Sequence, residues 1–182
     1  MSLLSYVDLC DLVHRGVIDA LPENINGASI DVRLGNRIML EKHYEEYRTI
    51  DLSKRESVGF STITMNEDGF LLHPGDFILA ETIEIFNLPD NIACQFVLKS
   101  SMARAGLEHL QAGWCNPVWN GSVLTMELKN ITEYHKLRIK PGMEIGQMVF
   151  WKCAPVPKDK SYAALGAYNG LTSVHATREK TV

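Results

Sequence analysis

Hydrophobic positions near the N-terminus of this chain recur at the spacing of an α-helix. The apolar residues of this pattern are Tyr6, Leu9, Leu12, Val13 and Val17. A capping box, with Ser5 three residues before Asp8, marks the start of the helix, and Gly16 supplies a stop signal. The pattern therefore predicts one short N-terminal helix.

From residue 27 onward the hydrophobic period changes to two. In GASIDVRLG (27–35) apolar and polar residues alternate, which predicts a half-buried strand. Further short apolar or alternating runs are FLLH, FILAETIEIF, IACQFVLK, SVLTMELKN, KLRIK and EIGQMVFWK, separated by the turn signals HPGD, LPDN, NPVWNG and KPGM. Many short strands with Pro and Gly turns predict a mainly β fold, as a sandwich, jelly roll or distorted barrel.

Two segments depart from this alternation. Residues 43–68 are more polar and less periodic, which predicts a surface excursion within the domain and not a linker between two domains. Residues 155–182 are rich in small and polar residues and end in charge, which is typical of a mobile tail. Because this tail carries Gly166, Tyr168 and Gly170, closure over a ligand is a second interpretation.

Composition narrows the functional classes. A length of 182 residues with 46% hydrophobic content predicts a single domain, 1–182, with its own core. The net charge of −4 gives no basic field for a nucleic-acid polymer. No apolar stretch is long enough to cross a membrane and the N-terminus lacks a signal-peptide pattern, so we expect a cytoplasmic protein. The four scattered cysteines predict buried free thiols.

The segment KSSMARAG (99–106) is a candidate phosphate-binding element. Ser100 and Ser101 stand where a helix can begin, with Lys99 and Arg104 on either side. Free backbone N–H groups, hydroxyls and two cations are the groups that hold phosphates. An ordinary capped turn with solvated charges has the same pattern.

The run SVLTMELKN (122–130) contains a candidate acid–base residue. Alternation places Leu124, Met126 and Leu128 on one face of a strand, and Glu127 on the other face among apolar neighbours. Such a carboxylate either faces water at an edge or lies in a partly desolvated cleft. In a cleft its raised pKa would suit it to proton transfer near neutral pH.

Two further patterns bear on function. The turn AGWCNPVWNG (112–121) carries two tryptophans, which either stack on a flat ring or sugar or cover the core. A zinc deaminase needs H-x-E together with P-C-x-x-C. His43-Tyr44-Glu45 satisfies the first half, but the sequence contains no P-C-x-x-C, so we expect any deamination to proceed without zinc.

Taken together and in order, several motifs resemble the dCTP deaminase family. They are INGASIDVRLGN, IDLS, FLLHPGDFILAET, LPDNI, KSSMARAG, AGWCNPVWNG, VLTMELKN and KPGMEIGQMVF. The resemblance implies a distorted jelly roll shared with trimeric dUTPases, assembled as a homotrimer with three active sites between subunits. It also implies that Mg²⁺ is carried on the substrate phosphates and not in a protein cage. Feedback inhibition by dTTP is plausible on the same grounds.

The resemblance also implies roles for individual residues. Glu127 matches the catalytic glutamate that activates water for attack on C4 of cytosine, and Ser100 and Arg104 match polar residues essential to the site. Lys99 keeps the charge of an arginine usual in the family but loses its bidentate fork. The remaining substrate-binding candidates are Ser101, Ala112 through its carbonyl, Asn116 toward the sugar 3′-hydroxyl, Trp119 on the deoxyribose, Thr125 and Met126 beside the base, and Tyr162 in the tail.

Departures from the family pattern leave three functions open. Asn116 stands where an Asp is typical, and an amide cannot act as the base that prepares water for attack on the phosphate chain. The sequence therefore predicts conversion of dCTP to dUTP. A bifunctional enzyme that gives dUMP is the alternative, since Gly113 and Trp114 resemble the bifunctional members. In the tail, Ala167 and Leu171 replace an expected Lys and Gln, which motivates a third hypothesis, a catalytically silent nucleotide sensor.

Overall fold

The computed structural model describes residues 2–177, and most of them form antiparallel strands. The helices are α1 (Tyr6–His14), α2 (Ser100–Arg104) and α3 (Tyr162–Leu165). The strands are β1 (Ser2–Leu3), β2 (Ile30–Glu41), β3 (Phe60–Thr64), β4 (Phe70–Leu72), β5 (Phe77–Asn87), β6 (Ile92–Leu98), β7 (Leu107–His109), β8 (Trp114–Cys115), β9 (Asn120–Asn130), β10 (Leu137–Ile139) and β11 (Glu144–Lys152). Short 3₁₀ turns cover Pro22–Asn24, Leu52–Lys54 and Lys158–Lys160.

One long curled sheet dominates the part of the chain that the structure describes. Its strand order is β7-β9-β5-β2-β11-β6-β8, with β1 added to β11 and β3 added to β2, and β10 pairs separately with β4. Strand β2 carries the curl, because its first residues pair with β11 and the residues from Leu34 onward pair with β5. The mainly β, jelly-roll-like class and the short N-terminal helix are thus confirmed.

The core lies inside this curl. Among its fully buried side chains are Phe86, Phe96, Phe150, Ile30, Leu34, Ile38 and Met126. Helix α1 packs Leu9 and Leu12 on the same cluster. Its predicted start is present, since the carboxylate of Asp8 accepts hydrogen bonds from the backbone N–H and hydroxyl of Ser5 at 2.9 and 2.6 Å.

Two local expectations differ from the structure. Within the 43–68 excursion, residues 60–64 form β3, which pairs with β2 through Ile38 and Ile63. In the alternating run that predicted β2, two of the polar residues are buried: Ser29, directly before the strand, and Asp31, within it. They are buried because Ser29 donates to Gln147 at 2.8 Å and Asp31 pairs with Lys99, so neighbouring strands satisfy their polar atoms.

The four cysteines are free thiols; Cys94 and Cys115 are buried, as predicted, whereas Cys10 and Cys153 are only half-buried. Among residues 2–177, no helix combines the length and apolar character needed to span a membrane.

Candidate active site

A cavity of about 470 Å³ opens beside the middle of β9, a size typical of small-molecule sites. Its walls come from four parts of the chain: β9 with its β5 neighbours, the turn before β9, the 50–60 excursion and the C-terminal tail. The lining includes Ala112, Trp114, Cys115, Trp119, Thr125, Glu127, Tyr162, Tyr168, Leu171 and His175.

Strand alternation places Glu127 in this cavity. Met126 and Leu128 point into the core, while Thr125 and Glu127 face the cavity. Leu124 is buried and also contributes to the cavity wall. The Oε2 atom of Glu127 is buried and has no hydrogen-bond partner among the described residues. Burial raises the pKa of this carboxyl, because the charged form loses hydration. The cleft interpretation of Glu127 therefore fits the structure better than a solvated edge.

His109 is a further residue of the site that the sequence did not single out. It ends β7, is 1% exposed, and its Nε2 lies 3.7 Å from Oε2 of Glu127. Neither ring nitrogen has a hydrogen-bond partner among residues 2–177. Burial lowers the pKa of the imidazole, while the charge of Glu108 acts in the opposite direction. The site thus pairs a neutral imidazole with a desolvated carboxyl group.

Packing fixes the orientation of this imidazole. The ring of Phe96 meets it edge-on, with 4.6 Å between the centroids. Gly113 packs against both side chains, since a Cβ there would lie 2.7 Å from Cβ of Phe96 and 3.3 Å from Cε1 of His109. The backbone also joins the two segments, since the N–H of Leu110 donates to the carbonyl of Glu127 at 3.3 Å. A lone histidine in a three-residue strand gives little sequence signal, which is why it was missed.

The turn before β9 contributes aromatic walls. Trp119 is buried, stacks on Phe86 with 5.2 Å between centroids, and donates from Nε1 to the carbonyl of Tyr168 at 3.0 Å. It both covers the core and lines the cavity. Trp114 is 49% exposed and donates to Oδ1 of Asn116 at 3.1 Å. Asn116 itself is exposed and lies outside the cavity lining.

The C-terminal tail runs along the first half of β9. The N–H of Val123 donates to the carbonyl of Leu171 at 2.9 Å, and the N–H of Gly170 donates to the carbonyl of Asn120 at 3.0 Å. Tyr162, Tyr168, Leu171 and His175 enter the cavity wall, and burial raises the pKa of the Tyr162 phenol. Three cations of the tail are candidates to replace the lysine that the family pattern expects at position 167. Lys158 and Lys160 are exposed, and Arg178 lies outside the described residues.

The predicted phosphate-binding segment lies elsewhere on this chain. Helix α2 forms over the predicted residues, with Ser100, Ser101 and Arg104 exposed, but none of them lines the cavity. Lys99 forms an ion pair of 2.6 Å with Asp31 and a second one with Glu144. Of the predicted site residues, those that line the cavity are Ala112, Trp119, Thr125, Glu127 and Tyr162. Those that lie outside the lining are Lys99, Ser100, Ser101, Arg104, Asn116 and the core residue Met126.

The charge of the cavity is correspondingly one-sided. Among the described residues, no lysine or arginine lines it, whereas Glu56 and Glu127 do. Residues 2–177 also contain no group of three or more His, Cys, Asp or Glu side chains arranged to hold a metal ion.

Comparison with known proteins adds three findings. A family model described as dCTP deaminase-like matches residues 3–153. A protein named dCTP deaminase, dUMP-forming, from Methanospirillum hungatei is 40% identical over 147 residues, covering 79% of this chain and 77% of that protein. One of the same name from Nanoarchaeum equitans is 36% identical over 175 residues, covering 86% and 87%.

The fold is also similar to a solved structure. The 2′-deoxycytidine 5′-triphosphate deaminase of Agrobacterium tumefaciens superimposes with a TM-score of 0.65 at 18% identity. The match covers 83% of this chain and 48% of that one, so this chain spans about half of its length. At this identity the likeness concerns the fold alone.

Proposed function

The chain belongs to the dCTP deaminase-like family, and from this premise we propose that it deaminates dCTP hydrolytically and carries the product on to dUMP. The overall reaction consumes dCTP and two water molecules and releases dUMP, ammonia and pyrophosphate. The observation that supports the deamination is the carboxyl group of Glu127, half-buried in the cavity with one oxygen unpaired.

Glu127 moves the proton in the deamination step. Its ionised carboxylate takes a proton from water as the water oxygen bonds to C4 of cytosine. The same carboxyl group then returns that proton to the exocyclic nitrogen as the C4–N4 bond breaks, so one group acts as base and then as acid. Burial raises the pKa of Glu127, which suits both halves of the step near neutral pH.

The other wall residues hold the nucleotide. The carbonyl of Ala112 orients the water or the base, Trp119 packs on the deoxyribose, and Tyr162 closes the cavity from the tail. Backbone groups of Thr125 and Met126 read the pyrimidine edge, which is compatible with the core position of the Met126 side chain.

The phosphates require cations that the cavity of one chain does not provide among its described residues. We therefore propose a homotrimer in which α2 of a neighbouring copy supplies Ser100, Ser101 and Arg104 to each cavity. Lys99, directly before α2, keeps its ion pairs with Asp31 and Glu144 and so holds the start of this helix in place. Mg²⁺ enters on the nucleotide phosphates and neutralises part of their charge.

The proposal also covers the setting of the enzyme. Residues 1–182 form one domain whose tail, 155–182, closes over the nucleotide. The protein acts in the cytoplasm on free nucleotides, without a nucleic-acid polymer or a membrane as partner, and dTTP competes with dCTP as a feedback inhibitor.

The final product separates two candidate functions. The relatives named dUMP-forming, at 34–40% identity, support dUMP. The second candidate is a deaminase whose reaction stops at dUTP. Asn116 favours it, because an amide cannot take the proton of the water that attacks the phosphate chain. In this chain Asn116 accepts a hydrogen bond from Trp114.

One assay tests both functions. The purified protein is incubated with dCTP and Mg²⁺, and nucleotides, ammonia and pyrophosphate are quantified after separation by chromatography. We expect dUMP and pyrophosphate in equal amounts with little free dUTP. Accumulation of dUTP alone would favour the second candidate, and the Asn116→Asp variant would then be expected to convert it to dUMP. Unchanged dCTP in the presence of folded protein would contradict both and favour a nucleotide sensor.

A further inference from the structure

A second carboxylate lies on the cavity side of the sheet, beside the strand that carries Glu127. Strand β5 pairs with β9 so that Leu79 is opposite Glu127 and Glu81 is opposite Thr125. Residues two apart on a strand share a face, so Glu81 lies on the same face as Leu79 and Thr125, both of which line the cavity. Glu81 is buried, although it is a charged residue.

The tail covers Glu81 and bonds to it. The backbone N–H of Val174 donates to Oε2 of Glu81 at 2.8 Å, and Nε of Arg37 lies 3.4 Å from Oε1. The same Arg37 donates from Nη2 to the carbonyl of Thr172 at 3.3 Å. Two charged side chains of the sheet therefore hold both ends of a three-residue stretch of the tail.

The sheet makes room for this arrangement. A Cβ at Gly35 on β2 would lie 2.5 Å from Cγ of Glu81, so only a glycine there leaves space for the glutamate. A buried carboxylate costs free energy unless it is paired and hydrogen-bonded. At Glu81 the pairing comes from Arg37 on β2 and from the tail itself, so this carboxylate is satisfied when the tail is docked.

We propose that Glu81 and Arg37 are positioning residues that fasten residues 172–174 to the sheet, and so hold the tail over the nucleotide during turnover. Leu171 and His175, on either side of the fastened stretch, are both cavity residues. The link to turnover rests on the proposed function, whereas the fastening itself does not. The contact differs from the backbone bonds of β9 to Gly170 and Leu171, which run between main-chain atoms and cannot be removed by a side-chain change.

Separate changes at the acceptor, Glu81, and at the donor, Val174, test the proposal. Glu81→Gln keeps the shape of the side chain and removes its charge, whereas Val174→Pro removes the donor N–H and also a buried side chain. Val174→Ala, which keeps the N–H, measures the effect of losing that side chain. Ser173→Pro is the matched control, since no hydrogen bond of the Ser173 N–H is present in the described part of the chain. A proline at 173 thus stiffens the same segment without breaking the contact.

The first measurement needs no nucleotide. Full-length proteins are treated with chymotrypsin, and cleavage after Tyr168 or Leu171 is followed by intact mass. We expect Glu81→Gln and Val174→Pro to be cleaved about 10-fold faster than wild type, because the first removes the charge that strengthens the hydrogen bond and the second removes its donor. Ser173→Pro should be cleaved at the wild-type rate. The double variant should be no faster than Val174→Pro alone, because once the donor N–H is gone the charge at position 81 no longer strengthens this bond. Equal cleavage of wild type and Glu81→Gln would overturn the proposal.

The second measurement links the fastening to turnover. With dCTP, both variants should show a KM raised by about 10-fold with kcat within a factor of about two, since the tail contact is made in the ground state and in the transition state. A loss of kcat at constant KM would mean that the tail does not act through nucleotide retention. If wild type deaminates no dCTP and the cleavage rates still change as expected, the proposed function fails and the fastening stands.

Discussion

Glu127, which lines the cavity, and its buried neighbour His109 both carry polar atoms that the fold leaves unsatisfied. Oε2 of Glu127 and both ring nitrogens of His109 are buried without a hydrogen-bond partner among the described residues. Burial raises the pKa of the acid and lowers the pKa of the imidazole, so at neutral pH both groups are biased toward their uncharged forms. Buried polar atoms are normally paired, and a bound water or substrate is the natural partner here.

The first prediction concerns Glu127→Gln. We expect ammonia release from dCTP to fall by about 1000-fold or more, because the amide cannot accept the proton of water, while dCTP binding stays near the wild-type level. Ammonia release and equilibrium binding of dCTP measure the two effects. Ammonia release at more than a tenth of the wild-type rate would show that another group is the base. Glu133→Gln, at an exposed position, serves as the control.

The same variant tests the sign of the pKa shift. The folded state holds the Glu127 proton more tightly than the unfolded state does, so the ionised carboxylate opposes folding above the folded-state pKa. Glu127→Gln should therefore be more stable than wild type at pH 7.5, by on the order of 1 kcal/mol. The gain should disappear as the pH falls below the unfolded-state pKa of a glutamate. Thermal unfolding of wild type and Glu127→Gln, measured from about pH 4 to about pH 8, follows this difference across the range in which carboxyl groups titrate.

The next prediction concerns His109, whose Nε2 lies 3.7 Å from Glu127. His109→Phe replaces a polar ring edge with an apolar one, so Oε2 of Glu127 loses the polar nitrogen that lies 3.7 Å away. We expect the acidic limb of the pH profile of kcat/KM to move to higher pH and kcat to fall by about 10-fold. His109→Gln, which can keep a donor near the Nε2 position, should retain more activity. Identical pH profiles for wild type and His109→Phe would contradict this interpretation.

The sequence identifies these two residues unequally. Glu127 lies in a nine-residue alternating run, so the pattern alone assigns its face of the strand. His109 ends a strand of three residues, and only the pairing of β7 with β9 brings it to Glu127. The pairing of Lys99 with Asp31 and Glu144 is equally invisible in sequence, because these residues are 68 and 45 positions from Lys99 along the chain.

At the scale of elements, β9 organises the site. Its first half pairs with the tail, its middle carries Thr125 and Glu127, and its last residues pair with β7, which ends at His109. Alternation and turn signals predicted the longer strands, together with β4 and β10, but not the short strands β1, β7 and β8. The exchange of partners along β2 and the strand β3 were not predictable, since both depend on contacts between distant segments and β3 is a largely exposed edge strand with polar residues.

The turn into β9 contains a backbone outlier at Val118. Its φ of 67° lies in the left-handed region, which is unfavourable for a β-branched residue. Val118→Gly is therefore expected to raise the free energy of unfolding by on the order of 1 kcal/mol, the strain released less the extra entropy of glycine. Denaturant titration measures the change. Val118→Ala keeps the Cβ and should gain less, and a less stable glycine variant would show that the lost side-chain packing outweighs the strain.

At the scale of the whole molecule, the groups assigned to one reaction lie on separate surfaces. Glu127 faces the cavity, while Ser100 and Arg104 are exposed on α2, outside it. A pattern of residues along a chain cannot distinguish a site within one subunit from a site shared by two, because both give the same order of motifs. The homotrimer that we propose would bring the two surfaces together.

Subunit mixing tests this arrangement. Glu127→Gln and Arg104→Ala should each be inactive alone. If the cavity of one copy uses α2 of its neighbour, trimers assembled from equal amounts of both should recover activity at about a quarter of their sites, since a quarter of the interfaces combine two intact surfaces. The two proteins are unfolded, mixed, refolded and assayed for ammonia release. Refolded single variants are the control, and no recovery in a mixed trimer would place all the groups within one subunit.

The tryptophans offer a practical consequence. The chain has three: Trp114 and Trp119 line the cavity, and the ring of Trp151 lies 5.7 Å from that of Trp114. Each of the three indoles thus either lines the cavity or lies against an indole that does. Intrinsic fluorescence, without any attached dye, therefore becomes an optical reporter of occupancy, and stopped-flow mixing can time nucleotide arrival and departure separately from bond cleavage.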